Sequence, residues 1–124
     1  MDPQTNRRAD GAIHEEIALQ YLLGLGYTLV GRNFHFGRAG EIDLIMRDGA
    51  AYIFIEVKGR RSRGFGLPEE ALTPARRRRI RKVAEGFIYI NGVAESEARF
   101  DVVAVDYVTG IGGKPEIRHH INAF

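Results

Sequence analysis

Three residues of this chain have types and spacing that could do chemistry together: Asp43, Glu56 and Lys58, within GEIDLIMRDGAAYIFIEVKGRR, Gly40 to Arg61. Two apolar, strand-like runs carry first an acid, then an acid, an apolar residue and a lysine. Residues i and i+2 of a strand point to the same face, so Glu56 and Lys58 project together while Val57 points away. Asp48-Gly49 between the runs is a hairpin signal, and closing the hairpin brings Asp43 to the face of Glu56. Two carboxylates and an amine in one patch suit a divalent cation and an activated water.

Register decides the details. With Asp48 and Gly49 as a two-residue loop, Asp43 lies opposite Phe54 and diagonal to Glu56, roughly 7–8 Å away at Cα. A loop longer by two residues puts Asp43 directly opposite Glu56. Both arrangements keep the acids on one face, whereas a slip of one residue separates them.

Other carboxylates are weighed by the face they occupy. At 100° per residue, Glu15 shares a helix face with Ala12, Ala18, Leu19 and Leu22, where a charge needs a partner; it is a candidate fourth acid of the site. Glu16 falls beside Gln20 and reads as exposed. Glu41 shares the face of Asp43, and a structural or electrostatic role is expected of it. Asp101, within RFDVVAV, reads as structural, paired with Arg99 or an arginine of the basic helix.

Net charge is only +2, but ten of the eighteen Lys and Arg residues fall between Lys58 and Lys82. Beyond Lys58 they are Arg60, Arg61, Arg63, Arg76, Arg77, Arg78, Arg79, Arg81 and Lys82. Such a local positive field attracts polyanions whatever the net charge, and phosphate backbone contact is the expected use. Phe65, between two glycines in the basic loop, is a candidate wedge against a base or sugar. The remaining aromatics lie at core spacing.

These groups must be positioned by a small number of elements. At 124 residues the chain reads as one domain with a single core, residues 1–9 forming a disordered tail. A helix is expected from an Asp10 N-cap to Gly24, then a strand from Tyr27 to Phe36, weakened by Gly31. The hairpin pairs Glu41–Arg47 with Ala51–Lys58, and Gly59–Pro68 forms a mobile basic loop. Thr73-Pro74 starts a helix that stops at Asn91-Gly92. Strands follow over Ala98–Val108 and Glu116–Ile121. The fold class is α/β, a mixed central sheet flanked by helices in the order α-β-β-β-α-β-β. No cysteine is present, so disulfides and thiolate metal sites are excluded. Adjacent His119 and His120 do not share a face, which argues against zinc. No signal peptide or membrane span is apparent, and a cytoplasmic location is expected.

The spacing of acid, about a dozen residues, then Glu-x-Lys resembles the PD-(D/E)xK nuclease superfamily. GEIDLI, FIEVKGR, FGLPEEALTPARRRRIRKVAEGFI, RFDVVAV and HHINAF together resemble the uncharacterised bacterial UPF0102, or YraN-like, family over Gly11 to Phe124. The family is similar in fold to archaeal Holliday junction resolvases. The resemblance implies a restriction-endonuclease-like fold and a metal-dependent endonuclease acting on DNA. It places Asp43, Glu56 and Lys58 at the motif positions and Glu15 at the acid of the first helix. His14 stands where the family usually has glycine. Mg²⁺ or Mn²⁺ is the implied cofactor, held by Asp43, Glu56, the Val57 carbonyl and Glu15. DNA is the implied partner, and a homodimer fits the resemblance. The alternative is a non-catalytic nucleic-acid-binding or recombination accessory module that keeps the fold.

Overall fold

The computed structural model describes residues 3–64 and 66–124; Phe65 lies outside the described residues. The elements are helix α1 (Pro3–Gly24), strands β1 (Thr28–His35), β2 (Glu41–Asp48) and β3 (Ala51–Arg60), helix α2 (Pro74–Asn91), and strands β4 (Ala98–Ile111) and β5 (Lys114–His120). A single turn of 3-10 helix over Pro68–Ala71, not foreseen from the sequence, precedes α2. The five strands form one sheet in sequential order. Only β3 and β4 run parallel, and α2 is their crossover.

The helices cover opposite faces. Ala18, Leu19 and Leu22 of α1 pack on Leu44, Met46, Ile53, Ile55, Val57, Val103 and Val105. Ile80, Val83, Ala84 and Phe87 of α2 pack on Ile42, Ile45, Phe54 and Val102. The central strands are therefore apolar on both sides, which explains the unbroken runs YIFI and VVAV.

Caps and turns account for the boundaries. Thr73 Oγ1 accepts the Arg76 amide at 3.2 Å, Pro74 opens α2, and Gly92 closes it at φ +64°. Helix α1 starts at Pro3, not at Asp10. Proline suits a first helical position and nothing downstream interrupts the helix, so Asp10 lies within α1 and binds Arg61 at 3.0 Å instead of capping. In β1 the pairing with β2 shifts between Leu29 and Gly31, the irregularity that Gly31 foreshadowed. Strand β3 continues through Arg60, taking Gly59 and Arg60 out of the expected loop.

The hairpin turn is Gly49-Ala50, one residue later than expected, because Asp48 pairs with Ala51 and Gly49 takes φ +60°. Pairing then runs back to Leu44 opposite Ile55. One step further places Asp43 opposite Glu56, the second of the two registers that keep the acids together.

Candidate metal and phosphate site

The acids meet where the β2–β3 ladder opens. Leu44 packs on the α1 side, yet Ile42, two residues earlier, packs on the α2 side. Regular alternation would put both on one face, so β2 departs from it at Asp43. The Asp43 carboxylate takes over the role of a ladder acceptor: the Val57 amide donates to Asp43 Oδ2 at 2.8 Å. Glu56 is 2% exposed and projects toward α2, whose Arg76 Nη2 donates to Glu56 Oε1 at 3.1 Å. Lys58 Nζ lies 3.7 Å from the same oxygen. Glu56 Oε2 is buried and has no hydrogen-bond partner among the described residues.

Glu15 reaches the cluster from α1. Its Oε1 accepts from Asn33 Nδ2 at 2.9 Å, and the same amide donates to Glu41 Oε1 at 2.6 Å. Asn33 sits in β1 with φ +50°, a conformation that asparagine tolerates better than most residues. Carboxylate oxygens of Glu15, Glu41 and Asp43 lie within 4.8 Å of one another. Four acids are thus gathered at one end of the sheet. Glu41, expected to have a structural or electrostatic role, lies within the cluster. Glu16 stays outside it, exposed and bonded to Gln20 and Arg32.

Crowding moves these groups away from their ordinary titration. Burial pushes the Asp43 carboxyl well above the usual carboxylate range, and the Glu56 carboxylate beside it pushes the same way; the Val57 amide opposes both. Glu15 is raised too, mainly by burial, with the Asn33 hydrogen bond opposing. Carboxylates that cannot all hold their charge in a half-buried site must take up a proton or a cation. With the open Glu56 oxygen, this is the chemistry of a site that fits a hard divalent cation.

Glu15, Asp43, Glu56, Val57 and Lys58 line one cleft of about 560 Å³. Asp10, Arg60, Arg61 and Arg76 line it too, so acids and cations are interleaved, Arg76 beside Glu56 and Arg61 beside Asp10. His14 closes the floor: it is 7% exposed, stands against Gly59, and has an unpartnered Nε2 among the described residues. Burial holds its imidazole below the ordinary value, against the pull of Asp10.

The basic residues divide by what they touch. Arg60 is committed to structure, donating to Asp106 at 2.9 Å and to the Gly66 carbonyl at 2.8 Å. Arg61 binds Asp10 and stacks over Tyr107 at 4.7 Å. Arg77 and Arg81 lie over the Phe124 ring, and Arg81 also over Phe100. Arg63, Arg78, Arg79 and Lys82 are exposed and make no ion pair among the described residues. Asp101 is structural, as expected: Arg99 donates to it at 3.0 Å and His119 Nε2 lies 2.8 Å away.

Sequence reasoning missed Asn33, whose signal was an asparagine, a residue that tolerates positive φ, within a strand-like run. It also missed Asp106, a second buried acid in the β4 run.

The family model described as "Uncharacterised protein family UPF0102" matches residues 14–105. The chain belongs to the UPF0102 family. Family relatives match nearly end to end. The UPF0102 protein of Geobacter sulfurreducens is 40% identical over 92% of this chain and 87% of its own length. That of Rhodococcus jostii is 43% identical over 92% and 94%, and that of Symbiobacterium thermophilum 41% identical over 94% and 97%. The matched UPF0102 segment begins at His14 and so includes Glu15, Glu41, Asp43 and Glu56 but not Asp10, which also lines the cleft.

Proposed function

We propose that this UPF0102 chain is a metal-dependent nuclease of the PD-(D/E)xK type, acting on DNA and binding it through the phosphate backbone. One observation carries the reading: Asp43, Glu56 and Lys58 share a cleft with Glu15, a buried Glu56 oxygen stands open, and Arg60, Arg61 and Arg76 line the same cleft.

Asp43 and Glu56 are the residues to hold Mg²⁺ or Mn²⁺, with the Val57 carbonyl and Glu15 completing the donor set. Such an ion, when bound, lowers the pKa of a water and neutralises phosphate charge. Lys58, drawn toward Glu56, is placed to donate a hydrogen bond to a water or to a phosphate oxygen as charge develops there. Asn33 fixes the Glu15 and Glu41 carboxylates so that they do not rotate away. Arg63, Arg78, Arg79 and Lys82 are free to meet phosphates, which positions a strand without reading its bases.

The test is incubation with branched, duplex and single-stranded DNA in Mg²⁺ or Mn²⁺. Cleavage of at least one substrate, lost with EDTA and in Asp43→Asn, is the expected result. Binding without cleavage would move the assignment to a non-catalytic accessory module. No binding to any of the three would overturn the nucleic-acid reading altogether.

A further inference from the structure

The Arg76–Glu56 pair is not what a permanently assembled cation site requires. Glu56 is the most buried acid of the cleft, and both of its charged neighbours approach the same oxygen: Arg76 at 3.1 Å and Lys58 at 3.7 Å. The neighbours differ in freedom. The Lys58 side chain is 21% exposed and is rooted in the central strand β3. The Arg76 side chain is 45% exposed, and it springs from the first turn of α2, beside Arg77, Arg78 and Arg79. A divalent ion on Asp43 and Glu56 would put a third positive centre around one carboxylate. Like charges that close repel strongly where water is partly excluded. The group best able to leave is the one with a solvent-exposed path and a long flexible stem, which is Arg76.

We propose that Arg76 acts as an internal counter-ion that couples loading of the cation to arrival of a phosphate. Without substrate, its guanidinium neutralises Glu56 and competes with a divalent ion for the carboxylate. A backbone phosphate entering the cleft offers the guanidinium a better, bidentate acceptor. Arg76 then turns from Glu56 to the phosphate, and Glu56 is released to the cation. Arg76 is a positioning residue in this scheme. Because coupling between two ligands is reciprocal, phosphate must tighten cation binding by the factor with which the cation tightens phosphate binding. The chain would thereby hold its metal weakly until a nucleic acid is in place. The inference rests on the cation-binding reading of the cleft.

The deciding measurement is Mn²⁺ binding by calorimetry, without DNA, to the full chain and to its variants. Arg76→Gln removes the competing charge while keeping a polar, helix-compatible side chain, and should bind Mn²⁺ about tenfold more tightly than the parent, the usual scale of such coupling. Arg77→Gln, one residue along and resting over Phe124, should leave the affinity unchanged. Asp43→Asn should abolish binding. Thermal melts establish that each variant is folded, and Arg76→Lys gives a further case in which the charge remains without the fork, with an affinity between those of the parent and Arg76→Gln. Parent-like or weaker Mn²⁺ binding by Arg76→Gln, with a parent that does bind, would overturn the counter-ion role and leave the metal site standing. No binding by the parent or by Arg76→Gln would overturn both. A repeat with Ca²⁺ and a short DNA duplex should show DNA tightening Ca²⁺ binding in the parent by more than in Arg76→Gln.

Discussion

Asp43 and Glu56 are placed where folding alone would not put them. Each takes a carboxylate into a half-buried or buried position beside a like charge, and an ionised group that loses its water shell costs on the order of several kcal/mol unless it is compensated. The surroundings return part of this through the Val57 amide, Lys58 and Arg76. A second close fit lies underneath: a Cβ built on Gly59 would stand 2.2 Å from His14 Nδ1, with two further ring atoms of His14 within 2.5 Å. The ring is buried beneath α1 and next to Tyr107, so it has little room to yield. Gly59→Ala should therefore destabilise the chain by about 1–3 kcal/mol, the usual range for overpacking. In a His14→Ala background the same change should cost much less. A double-mutant cycle by urea denaturation reads the difference, and additive costs would show that the ring is not the obstacle.

At the scale of elements, α2 has two working sides. Ile80, Val83, Ala84 and Phe87 hold it to the sheet, and Arg78, Arg79 and Lys82 stay in water on its outer side beside the exposed Glu85. Replacing Arg78 and Arg79 with alanine should leave thermal stability close to that of the parent. It should also weaken binding to all DNA sequences alike, lowering the salt slope by about 1 for each phosphate no longer neutralised. Fluorescence anisotropy at several salt concentrations measures it, and an unchanged slope would assign the run to solubility. This helix is almost fully legible in the sequence, because Thr73-Pro74 and Asn91-Gly92 are local signals that need no knowledge of the partner surface. Glu56 and Lys58 are legible for the same reason, since alternation is a property of neighbouring residues, whereas the break in alternation at Asp43, whose carboxylate accepts the Val57 amide, is not. Glu41 and Asn33 are not. Their meeting with Glu15 depends on how β1 lies against α1, residues 18 apart in sequence for the Asn33–Glu15 bond, and on a left-handed asparagine that no period announces. The start of α1 escapes the sequence because Asp10, a good capping residue, is preceded by residues equally willing to be helical.

Over the whole molecule, one polar network ties the ends of the sheet to the turn before α2. Arg118 of β5 donates to Glu69 through Nε and Nη2, both at 2.8 Å, to Asp106 at 2.9 Å, and to Glu116. Arg60, at the rim of the cleft, donates to Asp106 from the other side. The network thus fixes both the end of β3 and the segment leading into α2, the two places from which Arg60 and Arg76 reach the cleft. Hydrogen bonding from Arg118 holds the Glu69 carboxyl down to about 2. Burial alone would raise Asp106, but hydrogen bonds from Arg60, Arg118 and the Val108 and Thr109 amides outweigh it and leave Asp106 well below the usual range. Both acids have folded pKa values below their unfolded ones of about 4. Their contribution is therefore fully present above the unfolded values and is lost as pH falls from there toward the folded values. The part of the urea midpoint that Glu69 and Asp106 supply should decline from about pH 5 downward, while Asp43, raised in the folded state, works the other way and lowers the midpoint as pH climbs above its unfolded value. Arg118→Met should lose roughly 1.5–3 kcal/mol at neutral pH, because Asp106 is left buried with one charged partner fewer while Arg60 and two backbone amides still donate to it. The same variant should show a shallower decline on acidification, since Glu69 and Asp106 then titrate nearer their unfolded values. An equally steep decline in Arg118→Met would place the acid sensitivity elsewhere in the molecule.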